Sequence, residues 1–142
     1  MALPSKQSQA RSCALQFLYQ CEMEQVYFFS EAKFNNFINH QNIRKELTGF
    51  AETLVRGVLE DLGDLDAEIM ASSKNWSLDR IAIIDKIILR LAIFELRTMD
   101  TPTKVVLNEA IELAKNFSTE HSSKFINGLL DNLAKNYQKQ NP

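Results

Sequence analysis

Apolar side chains recur three and four residues apart along most of this 142-residue chain, the spacing of one face of an α-helix. A first helix is predicted over Ser8 to Glu24 and a short second one over Ala32 to Asn39. A longer helical region covers Ile43 to Ala71, with Gly63 as a candidate break. The pattern therefore predicts a helical first half.

The second half contains the most apolar segment of the chain. Ser77 is a candidate helix cap. From Ile81 to Leu96 the residues are apolar almost all round, which is typical of a helix at the centre of a domain. Pro102 is predicted at the first position of the next helix, which runs to Phe117, because its missing N–H costs nothing there. After a polar loop, a last helix is predicted over Lys124 to Tyr137.

The composition agrees with an all-α fold in a single domain. Three prolines and four glycines leave most of the chain free of helix breakers, and 142 residues suffice to bury a core. The net charge of −2 excludes a whole-protein field that attracts nucleic acid, so such contacts need a local patch. Lys6 and Arg11 are the basic residues near the N-terminus, where a solvated tail is the alternative interpretation.

Cys13 and Cys21 suit neither a redox motif nor a zinc site, and both fall in an apolar helical pattern. We expect buried free thiols, which fit a reducing cytoplasm. The N-terminus has no apolar signal core, and no run reaches the roughly 18 apolar residues of a membrane span. A cytoplasmic protein without membrane contact is the resulting expectation.

No nucleotide-binding glycine motif and no HExxH motif occurs. His40 and His121 lie in predicted polar loops, where exposure is favoured over ligation or base catalysis. Asp79 and Asp85 are six residues apart and so do not share a helix face, which argues against paired-carboxylate catalysis. We therefore expect no enzyme, no cofactor and no metal.

Two polar features lie within apolar helices. Asn108 and Glu109 have a structural interpretation, with Glu109 paired to an arginine such as Arg90. The segment KFING, Lys124 to Gly128, places a lysine and an aromatic at a predicted helix start, an arrangement that can hold a phosphate and stack a base. The alternative, favoured by the pattern alone, is that Phe125 belongs to the core and the glycine permits close packing.

Several long motifs resemble the bacterial transcription antitermination factor family NusB. They are WSLDRI (Trp76 to Ile81), ILRLAIFEL (Ile88 to Leu96), PTKVVLNEAIELAKNF (Pro102 to Phe117), KFINGLLD (Lys124 to Asp131) and ARSCALQFLYQ (Ala10 to Gln20). The resemblance implies about six to seven helices in two small bundles, over about 6–72 and about 77–137, that form one RNA-binding domain over 1–142. It also implies binding of the boxA element of ribosomal RNA leaders together with NusE, a small-subunit ribosomal protein, in an RNA polymerase antitermination complex.

Carried over by motif, the resemblance assigns roles to particular side chains. The expected contacts to single-stranded RNA are Lys6, Arg11, Gln16, Tyr19, Lys124, Phe125 and Asn127. Asp85 and Lys86, expected on an exposed face, are the candidates for binding NusE.

One departure from the family pattern concerns the segment before the first helix. Family members often carry an arginine cluster there, whereas this chain has Gln7, Ser8 and Gln9. Since phosphate contacts supply much of protein–RNA affinity, we expect weak RNA binding by the chain alone and dependence on NusE.

A helical interaction scaffold that has lost most RNA binding is the alternative function. A related module fused to ribosomal RNA methyltransferases does not apply, because the chain has no room for that enzyme. Monomer and homodimer both stay open.

Overall fold

The computed structural model describes residues 5–73 and 77–137, so Trp76 of one family motif lies outside the described residues. The described ranges contain seven α-helices, one short 3₁₀ helix and no strand, which confirms the all-α prediction. The helices are α1 Lys6–Glu24, α2 Glu31–His40, α3 Lys45–Glu60, α4 Leu62–Ser72, the 3₁₀ helix Leu78–Arg80, α5 Ile83–Thr98, α6 Thr103–Phe117 and α7 Glu120–Ala134.

The chain divides into two compact units, residues 1–60 and 61–142. The sequence-based boundary lay between 72 and 77 and assigned α4 to the first bundle, whereas α4 packs on α5 and belongs to the second unit. The predicted continuous helix from Ile43 to Ala71 is interrupted at Asp61, whose backbone leaves the helical region. Gly63 lies just inside α4 and has open space beside it, so it does not mark the break.

In the first unit, α1 packs along α3, and α2 is joined to α1 by aromatic side chains. The ring of Phe17 meets the rings of Phe34 and Phe37 edge-on, each with centroids 5.3 Å apart. Edge-to-face contacts of this kind stabilise a core beyond the area that they bury. The α1 helix begins before the predicted Ser8, because the side chain of Ser5 accepts a hydrogen bond from the backbone N–H of Ser8 and caps the helix.

In the second unit, α5 is the central element and contacts α4, α6 and α7. Every residue from Ile87 to Leu96 is buried, which confirms the prediction of a central helix. The predicted start at Ser77 differs: Leu78–Arg80 form the 3₁₀ helix, and α5 begins only at Ile83. Pro102 likewise caps α6 in an extended conformation, one residue before the helix begins.

The buried Arg90 in the second unit has an acidic partner. Arg90 donates to both carboxylate oxygens of Asp66, at 2.7 and 3.0 Å, a partner that the sequence pattern did not indicate. The hydroxyl of Tyr137 donates to Glu68, and Thr103 donates to the backbone carbonyl of Tyr137 at 2.9 Å. Burial, followed by the Glu68 carboxylate, raises the pKa of Tyr137 to about 12. These bonds fix the end of the described chain against α4 and α6.

Candidate nucleic-acid interface

Three exposed residues, one polar, one aromatic and one apolar, form a stripe along α1 at spacings of three and four residues. Gln16, Tyr19 and Met23 point outward, and 39% of Tyr19 is accessible to solvent. The side-chain amide of Gln16 donates to the backbone carbonyl of Ser12 at 3.2 Å. We call Lys6, Gln16 and Tyr19 the α1 surface. A flat, accessible aromatic ring beside an amide is suited to stacking and hydrogen bonding of an unpaired base.

Arg11 does not have the exposed position that a phosphate contact requires. Only 5% of the residue is accessible, and its guanidinium lies over the ring of Phe50 in α3, 5.4 Å from the ring centroid. A guanidinium over an aromatic face is held by cation–π attraction, and its apolar stem packs in the core. In this structure the Arg11 side chain supports the packing of α1 on α3, and its contact with RNA stays a prediction.

Lys6 is exposed but already has an acidic partner. Its ammonium lies 2.9 Å from one carboxylate oxygen of Glu46. The other oxygen of that carboxylate accepts a hydrogen bond from Arg44 at 2.7 Å. Hydrogen bonds from Lys6 and then from Arg44 lower the pKa of Glu46 below its usual range. Because 64% of the Lys6 side chain is accessible, the pair is a weak surface contact that a phosphate can replace.

The KFING segment lies further inside its helix than the sequence indicated. The last helix begins at Glu120, where the side chain of Thr119 caps it by accepting from the N–H of Ser122 at 3.2 Å. Lys124 is thus past the first turn, and the expectation of a phosphate site at this helix N-terminus is corrected. Gly128 is exposed, and an added Cβ would meet nothing within 4 Å, so close packing does not explain it.

Three KFING side chains nevertheless share an accessible part of the second unit. Lys124 and Asn127 are exposed, and Lys124 forms no ion pair with any described residue. Phe125 is half-buried. We call these three residues the α7 surface. It offers one cation and one partly accessible aromatic ring, the two elements that single-stranded RNA sites combine.

A cleft of about 370 Å³ lies beside Phe125 in the second unit. Its lining residues are Arg80, Ile81, Ala82, Asp85, His121, Ser122 and Phe125. The sequence reasoning missed Arg80, because its approach to Phe125 depends on the packing of the second unit, and Ser122, which lies one helical turn before Phe125 on α7. His121 is exposed, as expected, and contributes to this cleft.

Asp85 does not lie on an exposed face, as the expectation for a NusE contact required. It is 4% accessible and accepts a hydrogen bond from the hydroxyl of Ser118 at 2.9 Å. The bond links the start of α5 to the end of α6, so Asp85 has a structural partner of its own. Lys86, the next residue, is half-buried.

The predicted RNA residues fall in both units. Lys6, Arg11, Gln16 and Tyr19 lie on α1, whereas Lys124, Phe125 and Asn127 lie on α7.

Cys13 and Cys21 are buried free thiols, as predicted. Burial raises the pKa of each thiol to about 11, so neither is a thiolate at neutral pH. In residues 5–73 and 77–137, no group of acidic, histidine or cysteine side chains could hold a metal ion. Nor is any helix there long and apolar enough to cross a membrane.

Comparison with known proteins gives a consistent result. The model of the NusB family matches residues 8–135. The transcription antitermination protein NusB of Anaeromyxobacter dehalogenans is 42% identical over 132 residues, 93% of this chain and 92% of the relative. The Bacillus subtilis protein of the same name is 43% identical over 129 residues, 90% of this chain and 94% of the relative.

Solved structures agree. The T. maritima NusB structure has a TM-score of 0.80 at 32% identity and covers 98% of this chain and 96% of its own. A crystal structure of antitermination factors NusB and NusE in complex with dsRNA has a TM-score of 0.82 at 25% identity. The match covers 93% of this chain and 98% of that chain. The chain therefore belongs to the NusB family of transcription antitermination proteins.

Proposed function

We propose that this protein binds a boxA-type sequence in ribosomal RNA leaders together with NusE, and thereby helps RNA polymerase transcribe ribosomal RNA operons past terminators. The whole chain, 1–142, acts as one RNA-binding domain in the cytoplasm. The observation that carries the proposal is the similarity, over 93% of this chain, to a protein crystallised with NusE and dsRNA. The accessible aromatic and basic side chains of the α1 and α7 surfaces support it.

The two surfaces supply different contacts. Tyr19 stacks an unpaired base and Gln16 bonds to base edges, while Lys6 exchanges Glu46 for a phosphate. On the α7 surface, Lys124 contacts a phosphate, Phe125 stacks, and Asn127 donates or accepts. Arg11 contributes indirectly, because its packing on Phe50 holds α1 in place.

NusE supplies the cationic charge that this chain lacks. The N-terminal segment has no arginine cluster, Lys6 is paired and Arg11 is buried. Of the two candidates for NusE contact, the half-buried Lys86 is partly accessible to a partner. The carboxylate of Asp85 instead accepts a hydrogen bond from Ser118. We infer that NusE meets the second unit at Lys86 and the rim of the nearby cleft.

The test is titration of a single-stranded boxA-like RNA, a scrambled RNA of equal length and a double-stranded version, with and without NusE at fixed salt. We expect binding by the chain alone to be weak, and NusE to tighten binding of the boxA-like strand at least tenfold over the scrambled strand. Equal affinity for boxA-like and scrambled RNA in the complex contradicts boxA recognition.

The alternative is a scaffold that binds NusE but not RNA. The pairing of Lys6 and the burial of Arg11 favour it, because both reduce free positive charge on α1. It predicts a stable complex with NusE whose RNA affinity equals that of NusE alone. Light scattering over a range of protein concentrations tests the homodimer in parallel, since a dimer that covered the α1 surface would weaken RNA binding as concentration rises.

A further inference from the structure

A polar groove of about 640 Å³ lies in the first unit between α1 and α2. The rings of Phe17, Phe34 and Phe37 hold α2 against α1, and the backbones of the two helices make few close contacts. Phe37 is buried and forms part of the groove wall. The proposed function makes no use of this groove.

The side chains along the groove are mostly neutral hydrogen-bonding groups. Gln20 projects from α1, and Asn36, Asn39 and His40 project from α2 at one helical spacing. Amide side chains carry both a donor and an acceptor, which is the pattern needed to read the edge of a nucleobase. A groove of this kind fits an unstacked base better than a phosphate group.

The charges in the groove point to the same ligand class. Lys33 and Glu24 both line it, and their charged groups pair with each other at 3.0 Å. The pair leaves the groove without a net attraction for an anion. Any binding there depends on hydrogen bonds and shape, and adds little to the release of counterions that phosphate contacts produce.

The groove continues the α1 surface. Gln16, Gln20 and Glu24 follow one another at four-residue steps along α1, so they lie on one side of the helix, and Tyr19 adjoins them. A strand stacked on Tyr19 and running along this helix reaches Gln20 and Glu24 within one or two turns. The same strand can therefore enter the groove.

We propose that the groove between α1 and α2 is a second RNA subsite, which holds an unstacked base flanking the boxA-type core. The subsite rests on the proposed function, because it takes the strand that the α1 surface binds. Asn36 and Asn39 bond to the base edge, and Phe37 closes the wall behind it.

The experiment compares the core boxA-like RNA with the same RNA extended by about four nucleotides at either end. The proteins are the parent, the double variant Asn36→Ala/Asn39→Ala and the control Asn35→Ala, each in complex with NusE. Asn35 is a matched control because it is exposed on the same helix but does not line the groove. Thermal melts establish that all three are folded.

We expect one of the extensions to tighten binding to the parent about tenfold, within the range of a bidentate base contact. The double variant should lose that gain and keep the core affinity and the salt slope, whereas Asn35→Ala should behave as the parent. A photoreactive 4-thiouridine in the effective extension should cross-link to α2.

The outcomes separate this subsite from the proposed function. If the core RNA binds but neither extension tightens binding, or the double variant keeps the gain, the groove is not an RNA subsite and the proposed function stands. If the core RNA itself fails to bind, the proposed function fails. If the double variant weakens NusE binding without RNA, the groove contacts protein and the RNA subsite is overturned.

Discussion

The α1 and α7 surfaces differ in how their basic side chains are held. On α1, Lys6 is paired with Glu46 and Arg11 is packed on Phe50, whereas Lys124 on α7 is exposed without an ion pair to any described residue. Both surfaces offer one aromatic ring, Tyr19 or Phe125. One helix surface can therefore supply stacking and another the charge, although both resemble RNA-binding motifs in sequence.

The largest expected effect concerns stability. Arg11→Ala should lower the free energy of unfolding by about 1–3 kcal/mol, because it removes a buried stem and a cation–π contact. Lys124→Ala, an exposed change, should alter it by less than about 0.5 kcal/mol. Urea denaturation measures both.

If Arg11→Ala proves as stable as the parent and instead reduces the salt slope of RNA binding, the guanidinium reaches a phosphate in the complex. The contrast between the two surfaces would then be wrong. Arg11→Lys is the matched control, since it keeps the charge and loses the planar group over Phe50.

Tyr19→Ala should weaken RNA binding by the NusE complex by about 1–3 kcal/mol, the contribution of one stacked base. The salt slope should stay the same, because no charge is removed. Tyr19→Phe keeps the ring and should retain most of the affinity. A titration series at several salt concentrations makes the measurement, and full affinity for the alanine variant would mean that RNA follows another face.

Lys124→Ala should weaken binding to boxA-like and scrambled RNA alike, by several-fold, and lower the salt slope by about one ion. A phosphate contact carries no sequence information, so the ratio of the two affinities should not change. Lys115→Ala is the control, since it removes an exposed lysine elsewhere in the second unit. Loss of sequence preference would instead assign Lys124 a base contact.

Glu46→Gln should produce the smallest effect, a gain in RNA affinity of about threefold. The change releases Lys6 and Arg44 from their shared carboxylate, and one more cation can then meet a phosphate. Glu112→Gln is the control, because it removes an exposed acid paired with Lys115 in the second unit. Equal gains from both variants would indicate a general charge effect in place of a release of Lys6.

The helical fold, the central helix and the family could all be predicted from the order of the residues. The helical segment from Ile83 to Leu96 is apolar almost all round, and a helix without a polar face is stable only when other elements cover every side, so its burial follows from the pattern. The free thiols at Cys13 and Cys21 were predictable for the same reason. Helix starts were less predictable: at Ser5 and Thr119, neighbouring hydroxyl residues compete as caps.

The accessibility of the candidate side chains depends on how the helices pack and could not be predicted from the sequence. Arg11 meets Phe50, Lys6 meets Glu46, and Asp85 meets Ser118, each of them a partner distant in sequence. A helical pattern states which side of a helix faces the core, but not which residue of another helix lies opposite a given position. The charge of a basic or acidic residue is visible in the sequence, whereas its availability for RNA or NusE depends on that opposite residue.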